Sequence, residues 1–296
     1  PRARAAPRPH KRASPAAVPS EAAFLWGLIV DLLRMPLLLV RGVFGDRVAL
    51  RESVARPAAR IYAFVTAART TAALIALNLA AFLYEVHASR VLSQAEFLRR
   101  FTLSAGGLLR GEYLPLLTHV FAHAGPAHLS GNLLTLFVFG RVVERHLGSL
   151  WTAGAYVGAA VVSTSLSLCA QVVLHRSIPT LGASGAIAGL VALGTLLSPL
   201  ALTFEALVPM PLLCLGWLVL LADLSGVASG RRDGIDHFAH LGGYLSALVA
   251  YPFLPEALRL RARIGLLLNL ATAAGTALLL WAFPPRPPPV RPTATA

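Results

Sequence analysis

The chain has 296 residues, of which 56% are hydrophobic and 13% are charged, and its formal net charge is +13. Because a soluble domain carries roughly 25% charged residues, this composition excludes an ordinary globular protein and predicts a polytopic protein of the lipid bilayer. A charge of this sign could indicate a nucleic-acid partner. The basic residues instead crowd into the N-terminal tail and the flanks of the apolar runs, which is typical of membrane topology signals, so we expect no nucleic acid.

The first 69 residues differ in composition from the rest of the chain. Residues 1–20 are rich in Ala, Pro and Arg and contain no acid, which predicts disorder and is also similar to an organellar transit peptide. Residues 22–45 are apolar but interrupted by Asp31 and Arg34. Charges at mid-helix are costly in lipid, so we expect an interfacial helix, followed by a basic linker. Residues 1–69 are therefore predicted to be a disordered basic tail with an interfacial helix.

Seven apolar runs follow, and they predict an all-α, polytopic membrane helical bundle. Six runs fall within residues 70–255 and form the predicted six-helix core. One additional C-terminal transmembrane helix and a Pro-rich tail occupy residues 256–296. The predicted spans are 70–86, 128–143, 151–174, a fourth beginning at residue 184, 206–222, 237–254 and 264–283.

The distribution of Lys and Arg predicts the orientation of these spans. With a cytoplasmic N-terminus, 17 of these residues lie on the cytoplasmic side and 9 on the other side, as the positive-inside rule favours. The second, fourth and sixth spans then begin at the outer face. Their polar residues Ser184, His240, His128 and Asn132 are therefore predicted to lie at one depth in the membrane.

A serine between glycines begins the fourth span, in the run Gly-Ala-Ser-Gly at residues 182–185. A serine hydroxyl becomes a useful nucleophile only beside a base, usually a histidine, and His240 in the sixth span can take its proton. The two helices can approach closely because both carry small residues, Gly185 and Gly189 on one and Gly242 and Gly243 on the other. These residues predict a Ser184–His240 dyad.

An oxyanion formed during acyl transfer needs preorganised hydrogen-bond donors. The backbone N–H of Ser184, at a helix start, is one candidate. His128 and Asn132 are spaced i, i+4 and share one helix face, so their side chains are predicted to supply the others.

Three separated motifs now resemble those of the rhomboid intramembrane serine proteases. They are Thr-x-x-Phe-x-His-x4-His-x3-Asn at 118–132, Gly-x-Ser-Gly at 182–185 and Ala-His-Leu-Gly-Gly at 239–243. The resemblance covers about residues 70–255. It implies a six-helix core in which a Ser184–His240 dyad, with no metal or cofactor, cleaves transmembrane segments of single-span membrane proteins near the outer face.

The resemblance also implies roles for neighbouring residues. His128, Asn132 and the Ser184 N–H would stabilise the oxyanion, and His123, Gly182, Gly185 and Gly243 would be structural near the site. The Glu-Arg-x-x-Gly sequence at 144–148 is similar to the family's second-helix ending. The location implied is the bacterial cytoplasmic membrane with the N-terminus in the cytoplasm or, alternatively, an organellar inner membrane.

Besides Ala247, which stands in place of a Gly and is a mild change, the chain departs from the family pattern in two places. Leu114 and Pro115 stand where a Trp-Arg pair is common, and Ala188 stands where an aromatic residue usually stacks on the catalytic histidine. The second departure predicts a less rigidly held dyad and lower activity.

Other interpretations of the same residues remain open. Asp236, four residues before His240, could orient it as a triad acid, whereas we expect His237 to be a solvated neighbour. A catalytically weak or inactive rhomboid-like protein would use the same fold to bind client helices. A membrane metal protein is the third alternative, with a site built from the five histidines 119, 123, 128, 237 and 240; a zinc site needs three or four converging ligands.

Overall fold

The computed structural model describes residues 21–175, 179–203, 209–230 and 233–282, and the segments predicted to be the N-terminal disordered tail and the Pro-rich tail lie outside them. The described chain is mostly helical. It divides into two compact units, Pro1–Ala67 and Ala68–Ala296.

The described part of the first unit is a pair of helices, α1 (Glu21–Val43) and α2 (Arg47–Thr66). Helix α2 takes the place of the predicted basic linker. It begins where Asp46 accepts a hydrogen bond from the Ala49 N–H at 2.9 Å, which satisfies an otherwise unpaired amide of the first turn. The buried Asp31 of α1 pairs with Arg60 of α2 at 2.8 Å, so the charge that interrupts the first apolar run has a partner within its own unit.

The second unit holds the other helices, joined by short connections except for a two-stranded hairpin. The first helices of this unit are α3 (Arg69–Ala88), α4 (Gln94–Phe101), α5 (Ala105–Leu109) and α6 (Pro115–Thr118), the last continuing into a 3₁₀ turn at His119–Phe121. Then come α7 (Pro126–Thr135), α8 (Arg141–Leu147) and α9 (Ser149–Val173). The remaining elements are α10 (Ser184–Leu197), β1 (Leu202–Thr203), β2 (Met210–Pro211), α11 (Leu212–Ala228), α12 (His237–Ala250) and α13 (Glu256–Ala282).

Two of the described helices, α3 and α9, are both long enough and apolar enough to cross a bilayer. Helices α10 and α11 are apolar but shorter, at 14 and 17 residues. Helix α13 starts at Glu256, eight residues before the predicted seventh run, and its 27 residues form one continuous helix. The structure therefore shows a helical fold with two clear membrane-length helices, and the larger number of spans remains a prediction.

Helix α10 forms the centre of the second unit. Nearly all its residues are buried, because α9, α11, α12 and α13 pack around it. Its sequence is apolar on all sides, as expected of a helix surrounded by other helices rather than placed on a surface. Leu190 is fully buried in a cluster with Leu136, Phe139 and Leu212, and Leu197 is fully buried in another with Leu254 and Ala262.

Helices α7 and α8 are joined by a π-helical turn at Leu136–Gly140 and run as one rod through the predicted second span. At its far end, Glu144 accepts hydrogen bonds from the amides of Thr70 and Thr71, each at 2.8 Å, and from Ser149 Oγ at 2.6 Å. The carboxylate thus holds the starts of α3 and α9. Glu144, near one end of the rod, therefore has a structural role. Asn132, nearer the other end, faces the candidate site.

Candidate active site

Ser184 and His240 are brought together at the starts of α10 and α12. The Nε2 atom of His240 lies 2.7 Å from Ser184 Oγ, within hydrogen-bond distance. Gly182, two residues before the serine, has φ +123°, a backbone conformation that favours glycine. This turn lets α10 begin at Ser184. The hydroxyl of the serine faces a cavity, which is described below.

The pair can form because α10 and α12 touch through their backbones. A Cβ placed on Gly243 would lie 2.1 Å from the carbonyl oxygen of Gly185, and one placed on Gly185 would lie 1.8 Å from Ser163 Oγ. Only glycine fits at such an approach. The glycines at 185 and 243 therefore have a packing role that sets the spacing between serine and histidine.

A third side chain, Asp223 of α11, completes the row. Its Oδ1 lies 2.8 Å from His240 Nδ1, and only 5% of the residue is exposed. The predicted fifth span ends at Ala222, one residue before this aspartate. An ionisable residue in so apolar a segment marks a functional site by default, and that signal was present in the sequence.

Asp236, the residue considered as the triad acid, lies elsewhere. Its Oδ1 caps α12 by accepting the Ala239 N–H at 2.9 Å, and its Oδ2 accepts from Thr180 Oγ1 at 2.7 Å and from Ser167 Oγ. An aspartate that starts a helix in this way satisfies a free amide of the first turn. The interpretation of Asp236 as the orienting acid is therefore wrong, and Asp223 stands in that position.

The hydrogen bonds of Asp223 assign the protonation of His240. An ionised carboxylate only accepts, so the Nδ1 of His240 carries the proton. The Nε2 atom then presents its lone pair to the Ser184 hydroxyl. Tyr244 O–H donates to the second oxygen of Asp223 at 2.9 Å, which holds the carboxylate in place.

His237 is not the solvated neighbour that we expected. It is 6% exposed, and its Nδ1 lies 2.8 Å from Asp223 Oδ1, the same oxygen that faces His240. Its Nε2 lies 3.5 Å from Asp233 Oδ1. The ring packs against Gly226, where a Cβ would lie 2.1 Å from Nε2, so the absence of a side chain on α11 makes room for it.

The two predicted oxyanion residues face the same cavity as Ser184, a space of about 450 Å³ that His128, Asn132 and His240 also line. The Nδ2 of Asn132 is buried and has no hydrogen-bond partner among the described residues. The N–H of Ala124 points to His128 Nδ1 at 3.4 Å. This assigns the proton of His128 to Nε2, which lies against Gly182 at the turn before the serine.

His123 lies behind this pair rather than in the cavity. Its backbone N–H donates to Glu85 of α3 at 3.1 Å, and its ring contacts that of His128 at a centroid distance of 5.2 Å. His119 is buried and bonds to Pro115 O and Thr164 Oγ1. Within the described ranges, the one group of side chains that could hold a metal is Asp223, His237 and His240. The predicted alternative of a five-histidine metal site is therefore wrong for histidines 119, 123 and 128.

Comparison with known proteins agrees with the motifs. A family model described as the Rhomboid domain matches residues 110–256. The chain is similar to RHOMBOID-like protein 12, mitochondrial, of Arabidopsis thaliana, with 30% identity over 177 residues that cover 55% of this chain and 52% of that protein.

Two further relatives come from other kingdoms. Presenilin-associated rhomboid-like protein, mitochondrial, of Homo sapiens is 29% identical over 181 residues, covering 60% of this chain and 46% of that protein. Rhomboid protein 1, mitochondrial, of Saccharomyces cerevisiae is 29% identical over 151 residues, covering 48% and 43%. The chain thus matches about half the length of these curated relatives.

Proposed function

The chain belongs to the rhomboid family, and from that premise we propose that it is an intramembrane serine endopeptidase. One observation carries the proposal. Ser184 Oγ, the imidazole of His240 and Asp223 Oδ1 form a row with contacts of 2.7 and 2.8 Å. A nucleophile, a base and a group that orients the base are the parts that acyl transfer by serine requires.

The proposed reaction begins at the serine hydroxyl. Its proton passes to Nε2 of His240 while Oγ attacks the carbonyl carbon of the scissile peptide, giving a tetrahedral intermediate. Asp223 stabilises the imidazolium that forms, because its charge faces Nδ1. The imidazolium then gives its proton to the leaving amine, and water repeats the sequence on the acyl-enzyme to restore Ser184.

The negative oxygen of the tetrahedral intermediate would be stabilised by three donors. The N–H of Ser184 belongs to the first residue of α10, where amides have no partner within the helix. The Nε2–H of His128 and the Nδ2 of Asn132 face the same cavity. Donors that are in place and unpaired before the charge develops stabilise the transition state without reorganisation.

The proposed substrates are transmembrane segments of single-span membrane proteins. Such a segment is helical, so its peptide bonds are already paired and must be freed before attack. Gly or Pro near the cleavage site lowers that cost, by about 1 and about 3 kcal/mol relative to Ala in a helix interior. The cavity beside Ser184 is polar on the side of Ser167, Thr180 and Asp236, so it can hold the water that hydrolysis consumes.

The proposed location is a membrane crossed several times by the chain, with six core spans and α13 as a seventh. The names of the three relatives described above place those proteins in mitochondria. They support the organellar inner membrane, the second of the two locations predicted from the sequence, over a bacterial membrane.

The decisive test is reconstitution of the purified chain in liposomes with a single-span substrate that carries Gly residues near one end of its span. We expect cleavage by the unaltered protein and none by Ser184→Ala, which should keep the melting temperature of the parent. Cleavage that persists in Ser184→Ala would contradict the proposal.

Labelling by a fluorophosphonate separates the two predicted alternatives from this one. We expect Ser184 to be labelled, the label to be lost in His240→Ala, and EDTA to have no effect on either cleavage or labelling. An inactive client-binding protein would bind the substrate without cleavage and without labelling. Loss of cleavage in EDTA would indicate metal-dependent chemistry instead.

A further inference from the structure

We propose that Asp223, His237 and His240 form a binding site for a divalent transition-metal ion of the zinc type, and that an ion bound there stops hydrolysis. The binding is independent of the enzyme's activity, whereas the inhibition rests on the proposed function. The site lies on the side of His240 that faces away from Ser184.

The three side chains converge on a single point. The Nδ1 atoms of both histidines lie 2.8 Å from Oδ1 of Asp223, and one ligand atom from each residue lies within 4.8 Å of the others. Ligands of a tetrahedral zinc ion at its usual bond lengths of about 2.0–2.1 Å are about 3.3 Å apart. Each nitrogen must therefore move about half an ångström away from Oδ1 for one ion to replace the two N–H···O bonds.

The group is buried but has a route to the outside. Asp223, His237, His240 and Ala188 line a space of about 370 Å³, which adjoins the Ser184 cavity because Ser184 and Asn132 line both. Ala188 is the position where an aromatic side chain was expected against the histidine; here the small residue leaves this space beside the ring. Water in the cavity can supply the fourth ligand, which completes the geometry of a site with three protein ligands.

Each histidine also has an oxygen near its other ring nitrogen, Nε2, that can accept a hydrogen bond from that nitrogen when it is protonated. When a metal binds Nδ1 of a neutral imidazole, the ring proton must reside on Nε2. For His237 that nitrogen lies 3.5 Å from the carboxylate of Asp233, and for His240 it lies 2.7 Å from Ser184 Oγ. A carboxylate behind a metal-bound histidine is a usual feature of such sites, where it fixes the ring and strengthens the ligand.

The ligand set selects the class of ion. Two imidazoles and a carboxylate favour Zn²⁺, with Co²⁺, Ni²⁺ and Cu²⁺ as chemical relatives. Mg²⁺ and Ca²⁺ prefer oxygen ligands and larger coordination numbers. We therefore expect transition-metal ions to bind and the alkaline-earth ions not to compete.

An ion bound at this site prevents His240 from acting as the general base, although the ring stays in place. Each imidazole stays neutral and moves its single proton from Nδ1 to Nε2, so no net proton is released. The Ser184 hydroxyl then faces an N–H instead of a lone pair, and its proton has no acceptor. The ion also takes the Asp223 charge that would stabilise the imidazolium.

Binding is tested first on Ser184→Ala, in which no turnover can confuse the result. The purified variant in detergent is titrated with Co²⁺ and followed by visible absorption, with Zn²⁺ then added as a competitor. We expect a tetrahedral Co²⁺ spectrum that Zn²⁺ removes and excess Mg²⁺ does not. No such spectrum, or an octahedral one unaffected by Zn²⁺, would overturn the site.

Two added substitutions locate the ion. His237→Asn keeps an N–H near Asp223 but removes a ligand, so we expect it to weaken binding by about 10²-fold or more. Asp233→Asn removes only the carboxylate behind His237 and should weaken binding by about 10-fold, which tests the site even if His237→Asn fails to fold. Unchanged affinity in both variants would place the ion elsewhere and overturn the proposal.

The inhibition is measured on the chain with Ser184 intact. We expect Zn²⁺ to stop substrate cleavage and EDTA to restore it. Asp233→Asn, which leaves the hydrogen bonds of Asp223 in place, should cleave the substrate and need about 10-fold more Zn²⁺ for inhibition. Zn²⁺ that binds without slowing cleavage would overturn the inhibitory role. A chain that never cleaves would contradict the proposed function, and the Co²⁺ titration would still decide the site.

Discussion

The two sides of the Ser184 cavity are built in opposite ways. On the side of the base, α10 and α12 touch through their backbones, and the Asp223 carboxylate receives Tyr244 and two histidines. On the side of the oxyanion donors, Asn132 Nδ2 has no partner among the described side chains, and a Cβ on the adjacent Gly131 would meet nothing within 4 Å.

The difference follows from when each side acts. A base must have the right tautomer and distance before the substrate arrives, so its hydrogen bonds and contacts are already made in the resting protein. An oxyanion donor is useful only if it is free when the charge appears. The tightly packed side and the open side therefore both contribute to preorganisation.

The largest expected effect comes from adding a methyl group to Gly243, on the tightly packed side, and the same change at Gly131 on the open side is its control. Gly243→Ala would place a Cβ 2.1 Å from Gly185 O, which is backbone and must move with its helix. We expect a loss of about 3 kcal/mol in the free energy of unfolding, the upper range for overpacking, and loss of cleavage. Gly131→Ala, on the open side, should leave stability unchanged or slightly raised.

Unfolding in detergent, followed by circular dichroism, measures both variants. Equal stabilities would show that the two sides do not differ in packing, and the contrast drawn above would fail.

The next effect concerns the orienting acid. Asp223→Asn removes the negative charge beside His240 Nδ1, so we expect kcat/KM to fall by about 10³-fold. The measurement is kcat/KM for cleavage of the single-span substrate in liposomes.

Asp236→Asn is the matched control for this prediction. An amide can still cap α12, so the rate should stay close to that of the parent. A similar loss in both variants would mean that Asp223 has only a structural role.

A smaller effect is expected on the open side. Asn132→Ala should lower kcat by about 10²-fold with little change in KM, as expected when a donor acts only in the transition state. Because the Asn132 amide nitrogen has no partner among the described residues, its loss should leave the thermal midpoint nearly unchanged.

The control is Asn78→Ala, which removes another buried amide, on α3, that bonds to Leu74 O and does not line the Ser184 cavity. That variant should lose stability and keep its rate. An unchanged rate in Asn132→Ala would remove this residue from the proposed oxyanion site.

Much of the site could be predicted because it depends on short-range patterns. Ser184, His240, His128 and Asn132 stand in motifs whose spacing and helix positions can be read from the chain, and the structure places all four around one cavity. Glycines at 185 and 243 signalled the close approach of two helices before their contact was known.

The contacts of Asp223 and His237 could not be read from the sequence. Which aspartate reaches Nδ1 of His240 depends on how α11 is rotated against α12. Asp223 and Asp236 are 17 and 4 residues from His240, and the shorter separation was misleading because Asp236 begins the helix. The burial of His237 depends on the missing side chain at Gly226 of another helix, so no pattern within its own segment reveals it.

The bonds of Glu144 to the first amides of α3 have a consequence for how the protein is made. Its partner Thr70 lies 74 residues earlier in the chain, so α3 emerges from the ribosome long before the carboxylate that accepts from its amides. Until α8 has been synthesised, the start of α3 must remain where water or lipid headgroups can bind those amides, since an unpaired amide in hydrocarbon costs several kcal/mol. Helix α3 therefore gains this carboxylate partner only after the nascent chain has extended past residue 144.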